Sequence, residues 1–135
     1  MTNPTVPYAL AVDDDPIILM HVTGMLEDGG FRIYEADDGD AAIALLRNYA
    51  HRITLLFSDV DMPGETNGFA LAHHVAQNYP WIEIVIGSGH VRPEAGDLPE
   101  KATFVSKPFS TQMIYRHLRK TLPLGKLPAP LRTAF

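Results

Sequence analysis

The side chains able to do chemistry gather at a few points, each at the end of an apolar run. Asp13, Asp14 and Asp15 follow Tyr8–Val12, and Asp59 and Asp61 follow Ile53–Ser58. Ser88 follows Ile82–Ile86, and Lys107, with Pro108 behind it, follows Ala102–Ser106. A buried strand has no need of such residues at its end. Carboxylates held within a few ångströms of one another repel, and one or more takes up a proton unless a cation intervenes. A hard divalent ion is the simplest answer: Mg²⁺ keeps several waters and uses one or two carboxylates plus a phosphate oxygen. A lysine ammonium is a point-charge partner for phosphoryl oxygen. A serine hydroxyl donates to the same group. Together these parts make a phosphoryl-transfer site: a metal, a lysine, a hydroxyl and a carboxylate nucleophile.

The elements that must position them follow from periodicity. Tyr8–Val12, Phe31–Ala36, Ile53–Ser58, Ile82–Ile86 and Ala102–Ser106 read as strands. Pro16 stands where a helix takes its first residue, with Asp15 as its N-cap. Ile17–Asp28 then carries Ile18, Val22, Met25 and Leu26 on one face, and Gly29 and Gly30 end it. Asp40–Tyr49 is read as a helix with Ala42, Leu45, Leu46 and Tyr49 inward, and Gly68–Asn78 as one burying Ala72, Val75 and Ala76. Ser110 caps a last helix, Ser110–Thr121, with Ile114, Leu118 and Leu122 spaced by four. Met20, Met25 and Met113 are read as core filler. Between Gly89 and Lys101, Pro93, Gly96 and Pro99 leave a helix of about two turns.

Strands alternating with helices mean βαβ units and a parallel sheet covered on both faces. Five strands fit a doubly wound open sheet rather than a closed eight-stranded barrel. Every strand end named above then lies on one edge, where such sheets bind ligands. Residues 1–7 form a loose lead-in. Residues 123–135 are a Pro-rich C-terminal tail in which Leu124, Leu127, Leu131 and Phe135 are apolar, read as an extended, disordered end rather than a docked one.

The chain has 135 residues, enough for one domain with its own core and no need of disulfides or zinc. It has no cysteine, which excludes disulfides, thiolate metal sites and cysteine nucleophiles and leaves the reducing cytoplasm as default compartment. Sixteen acids against eleven Lys and Arg give a net charge of −5, which disfavours nucleic-acid binding by bulk electrostatics. No apolar run approaches the roughly 18 residues of a membrane span. The first basic residue is Arg32, so no charged segment of a signal peptide is expected.

V-D-D-D-P at 12–16, L-F-S-D-V-D-M-P-G at 56–64, G-S-G at 87–89 and F-V-S-K-P-F at 104–109 resemble, in kind and order, the response-regulator receiver domains of the CheY-like family. The resemblance covers roughly residues 8–122. It implies an α/β, flavodoxin-like fold: a doubly wound five-stranded parallel sheet of order 2-1-3-4-5, with the receiver domain at 1–122. It implies Asp59 as phosphoryl acceptor, with Mg²⁺ held by Asp14, Asp59 and the Asp61 backbone carbonyl and by Asp13 through water. Ser88 and Lys107 take the phosphoryl-binding places, and Ser88 with Phe104 the switch places. The Asp61 side chain and His90 stand where the family tunes dephosphorylation. Lys107–Pro108 is a candidate cis peptide. The implied activity is a two-component phosphorelay. A sensor histidine kinase or histidine phosphotransfer protein donates to Asp59, water later hydrolyses the acyl phosphate, and a conformational switch signals to a downstream protein target. The chain is expected to be a cytoplasmic single-domain regulator, monomeric or weakly dimeric, without nucleic-acid or membrane partners. It assists its own phosphorylation and dephosphorylation and is no turnover enzyme on external substrates.

Other readings of the same residues exist. Asp13–Asp15 could be a helix cap with a solvated charge run, Lys107 a surface lysine, Ser88 a turn residue, Phe104 permanent core and His90 an inert surface histidine. His73 and His74 lack ligand spacing. D-x-D at 59–61 fails as a calcium loop, because Pro63 and Ala70 stand where the template wants Asp or Asn and Glu. A haloacid-dehalogenase phosphatase would need an acidic pair downstream, and none suits. A phosphorylation-independent interaction module of the same fold is the main rival. Two departures from the family stand out: a short segment from Ser88 to Phe104, and a loop at Gly64–Asn67 one residue longer than usual.

Overall fold

A computed structural model describes residues 6–123 and 126–132. Five parallel strands form one sheet of order β2-β1-β3-β4-β5, as expected: β1 Tyr8–Val12, β2 Arg32–Ala36, β3 Ile53–Asp59, β4 Glu83–Ser88 and β5 Thr103–Ser106. Helices α1 Pro16–Asp28, α2 Gly39–Tyr49, α3 Gly68–Asn78 and α4 Thr111–Thr121 connect or flank them, with a short 3₁₀ turn at Ala50–Arg52 and a single helical turn, α5, at Ala129–Arg132.

Strand side chains alternate between the two faces, so each strand feeds two cores. Leu10, Val12, Leu56, Ile84 and Ile86 meet Ala42 and Leu46 of α2 and Leu71 and Val75 of α3. Ala9, Ala11, Leu55, Phe57 and Val85 meet Val22 and Leu26 of α1 and Ile114 and Leu118 of α4. Each of these helices has a side-chain N-cap: Asp15 accepts from Ile17 N at 2.9 Å, Asp38 from Ala41 N at 2.7 Å, Asn67 from Ala70 N at 2.9 Å and Ser110 from Met113 N at 3.1 Å.

Three expectations are corrected. No helix forms between Gly89 and Lys101. Pro93 and Pro99 remove donors, and Gly96 sits at φ +88°, so the segment closes as a turn, with Asp97 N donating to Glu94 O at 3.1 Å. Val91, Leu98 and Ala102 still cover the core, and His73 Nε2 lies 3.1 Å from both Gly96 O and Asp97 O. Second, only Met25 of the three methionines is core; Met20 is 67% and Met113 43% exposed. Tyr49 also lies outside, stacked on Tyr34. Third, the tail docks. Leu127 and Leu131 are each 3% exposed and join the cluster of Leu118 and Leu122. Thr54 Oγ1 donates to Lys126 O at 3.2 Å, and Lys126 Nζ to Trp81 O at 2.9 Å. A Pro-rich frame does not reveal that a groove waits for its leucines. Leu124 and Phe135, named with them, lie outside the described residues, as do residues 1–5 of the lead-in.

Candidate functional site

The strand ends converge as a parallel sheet requires. Asp13 leaves β1 nearly buried, and its Oδ1 is steadied by Asp15 N at 3.0 Å. Asp59 ends β3, paired with Gly87 of β4. Behind it the chain turns so tightly into α3 that Gly68 N bonds Val60 O at 2.8 Å. A Cβ on Gly68 would overlap Asp59 O and stand 2.8 Å from Val60 Cα, so only glycine fits. Lys107 leaves β5 at a cis bond to Pro108, and its amide donates to Ser88 O at 3.0 Å.

The Lys107 side chain reaches back across the sheet edge. Its Nζ donates to Asp59 Oδ1 at 3.0 Å and to Asp13 Oδ2 at 3.2 Å. One carboxylate oxygen each from Asp13, Asp14 and Asp59 lies within 4.8 Å of the others. Three formal negative charges against one positive leave an excess matching one divalent cation. The donors are all hard oxygens, the set that suits Mg²⁺. The site therefore fits the ion.

Burial pushes the Asp59 carboxyl above its ordinary range. The hydrogen bond and charge of Lys107 oppose this, and the charge of Asp13 adds to it. Burial alone would lower the Lys107 ammonium, but the Asp59 hydrogen bond and the charges of Asp59 and Asp13 outweigh it, and the net shift is upward. A dication among these carboxylates would invert the Asp59 balance.

An open cleft of about 450 Å³ joins Asp14, Asp59, Asp61, His90 and Lys107. The structure thus gathers six of the expected residues, Asp13 included, at one place. Ser88 and Phe104 stand apart from that lining. Ser88 is buried, and its hydroxyl accepts from His90 N at 3.1 Å and Val91 N at 3.0 Å. Phe104 pairs with Ile86 and packs half-buried against the α2 and α3 core. Sequence reasoning passed over an apolar pair. Ile17, 72% exposed, and Met20 are exposed on α1, whose Ile18 lines the cleft. Their signal was legible: the core-facing side is Val22, Met25 and Leu26 with half-buried Ile18, and the pair i, i+3 at 17 and 20 falls off it.

The response regulator receiver domain family matches residues 9–119. The nitrogen assimilation regulatory protein NtrX of Azorhizobium caulinodans is 33% identical over 109 residues, 78% of this chain and 24% of that protein. The chain therefore spans about a quarter of that relative's length. Among solved structures, chemotaxis response regulator CheY4 of Vibrio cholerae superposes with a TM-score of 0.73 at 27% identity, covering 87% of this chain and all of that one. A response regulator receiver protein from Sinorhizobium medicae reaches a TM-score of 0.79 over 95% of this chain and 96% of its own; at 23% identity it supports the fold alone. The aspartates that crowd one sheet edge, the lysine that crosses to them and the sheet order lead to one conclusion: the chain belongs to the response regulator receiver domain family.

Proposed function

We propose that this receiver domain is a single-domain response regulator of a two-component phosphorelay, and that Asp59 is its phosphoacceptor. One observation carries the reading: Lys107 Nζ sits 3.0 Å from Asp59 Oδ1 in a cleft with an uncompensated acidic excess. The receiver spans 1–122, and Leu127 and Leu131 of the following segment pack onto its core. Its place of work is the cytoplasm.

Asp59 attacks the phosphorus of a phosphohistidine on a sensor kinase or histidine phosphotransfer protein. The new O–P bond forms as the P–N bond breaks, and the imidazole leaves with the electron pair. Asp14, Asp59 and the Asp61 carbonyl, with Asp13 through water, would hold Mg²⁺, which would supply charge neutralisation at the phosphoryl oxygens. Lys107 moves its hydrogen bond from Asp59 to a phosphoryl oxygen. The Ser88 hydroxyl leaves the amides of His90 and Val91 to donate to the same group, and Phe104 follows into the space released. Water attack on phosphorus later frees Asp59. Asp61 and His90, at the cleft mouth, govern how that water is seated. The domain supplies position and charge and turns over no external substrate. Exposed Ile17 and Met20, on the helix whose Ile18 lines the cleft, offer apolar area to the phosphodonor protein.

A second reading, a phosphorylation-independent interaction module, draws on the Ser88 hydroxyl's engagement with two backbone amides. Incubation with acetyl phosphate and Mg²⁺ followed by intact mass separates the two. A gain of one phosphoryl group, lost in Asp59→Asn, is expected. No gain with any small phosphodonor would leave the second reading standing.

A further inference from the structure

Asp61 lines the cleft, and the loop it opens, residues 61–67, borders with Asp14 an adjoining groove of about 510 Å³. Asp61, Pro63, Gly64 and Glu65 are exposed. The loop is held by ties at several points along it. Its C-terminal end is tied by the Gly68–Val60 hydrogen bond. Near its start Met62 is half-buried against the core. A further tie is Thr66, whose Oγ1 donates to Asp40 Oδ1 at 2.8 Å. The fit there is close: a Cβ on Gly39 would lie 2.7 Å from Thr66 Cβ and overlap Thr66 O. The first turn of α2 thus receives the loop at van der Waals distance, and Asp40 latches it.

We propose that Asp40 is a positioning residue: through Thr66 it sets the Asp61–Asn67 loop, and so the presentation of the Asp61 carbonyl to a divalent cation. The proposal rests on the cleft being a Mg²⁺ site. Asp40 is not in the lining of that cleft, so it works through the loop and not by coordination. Its carboxylate also lies in the first turn of α2, where a negative charge favours the helix for reasons unconnected with the loop. The two roles make different demands. The latch needs an acceptor oxygen on residue 40 and a hydroxyl on residue 66. The helix-charge role needs the carboxylate's charge and is indifferent to Thr66.

Mg²⁺ alone is titrated into the full chain, following backbone amide shifts at Asp59 and Asp61 by NMR. Thermal melts establish that each variant is folded. Asp40→Ala and Thr66→Val are expected to weaken Mg²⁺ binding by about tenfold each, the scale of lost outer-shell support. Asp40→Asn and Thr66→Ser keep the oxygen and the hydroxyl and stay within about twofold of wild type, the margin left when a hydrogen bond survives. The double variant Asp40→Ala/Thr66→Val binds no more weakly than either single one, because one latch is lost once. Wild-type affinity in Thr66→Val overturns the latch, as does Asp40→Asn falling with Asp40→Ala. If the wild-type chain itself shows no Mg²⁺-dependent shift, the reading of the cleft has failed rather than the latch alone.

Discussion

The Lys107 ammonium is shared by Asp59 and Asp13, 3.0 and 3.2 Å away, and joins the ends of β5, β3 and β1 with one side chain. The three groups are largely withdrawn from water, with side-chain exposures of 19%, 13% and 5%. Removing the cation therefore leaves buried like charges rather than solvated ones. Lys107→Met is expected to lower stability at neutral pH by about 1–3 kcal/mol, and added Mg²⁺ to recover much of it. In wild type the upward shift of Lys107 means its contribution is complete below the ordinary lysine range and fades as pH climbs through the raised value. Urea denaturation across neutral and alkaline pH, with and without Mg²⁺, checks both.

Asp59 has the opposite sign. Burial raises its carboxyl, so the folded chain holds that proton at pH values where the unfolded chain has released it. Stability then falls as pH rises through the window above the ordinary carboxyl range, and ionised Asp59 is a cost at neutral pH. Asp59→Asn should melt higher than wild type at pH 7, on the order of 3 °C, and the gap should close below about pH 4. A melting series by circular dichroism would falsify this if the two proteins tracked each other at every pH.

The docked tail makes a separate claim. Leu127→Ala and Leu131→Ala each empty a buried leucine site, at about 2–3 kcal/mol apiece. The chain has one tryptophan, Trp81, whose carbonyl accepts from Lys126. Its fluorescence can follow the loss. Deleting 123–135 should lower the urea midpoint more than either point change. An unchanged midpoint would mean that the tail contributes nothing to the fold.

His73 braces the turn that stands in place of a helix between β4 and β5. Replacing it with Phe keeps an aromatic ring and removes the donor. Amide hydrogen exchange around residues 94–101 should quicken about fivefold, the equivalent of one modest hydrogen bond. Exchange elsewhere on α3 should hold, which separates this effect from general loosening.

The sheet, its parallel sense and the cleft were legible because their signals are local or repeat along the chain. Apolar runs of four to seven residues end in Asp13, Asp59, Ser88 and Lys107, and a parallel sheet leaves those ends no other edge to share. Asp15 and Ser110 could be named as caps because a cap is a matter of two or three residues. The prolines and glycine at 93, 96 and 99 weakened a helix on paper and abolished it in space.

Composition and spacing thus determined which residues the sheet delivers to one edge, since strand polarity carries every strand end the same way. Tertiary structure alone decided what each does on arrival. It placed the Lys107 ammonium between Asp59 and Asp13, set the Ser88 hydroxyl on the amides of His90 and Val91, seated Leu127 and Leu131 in a groove, and joined Thr66 to Asp40. The physical reason is range. Periodicity reports the face a residue takes relative to its neighbours, while a hydrogen bond of 3 Å between residues 48 or 94 positions apart depends on every element between them.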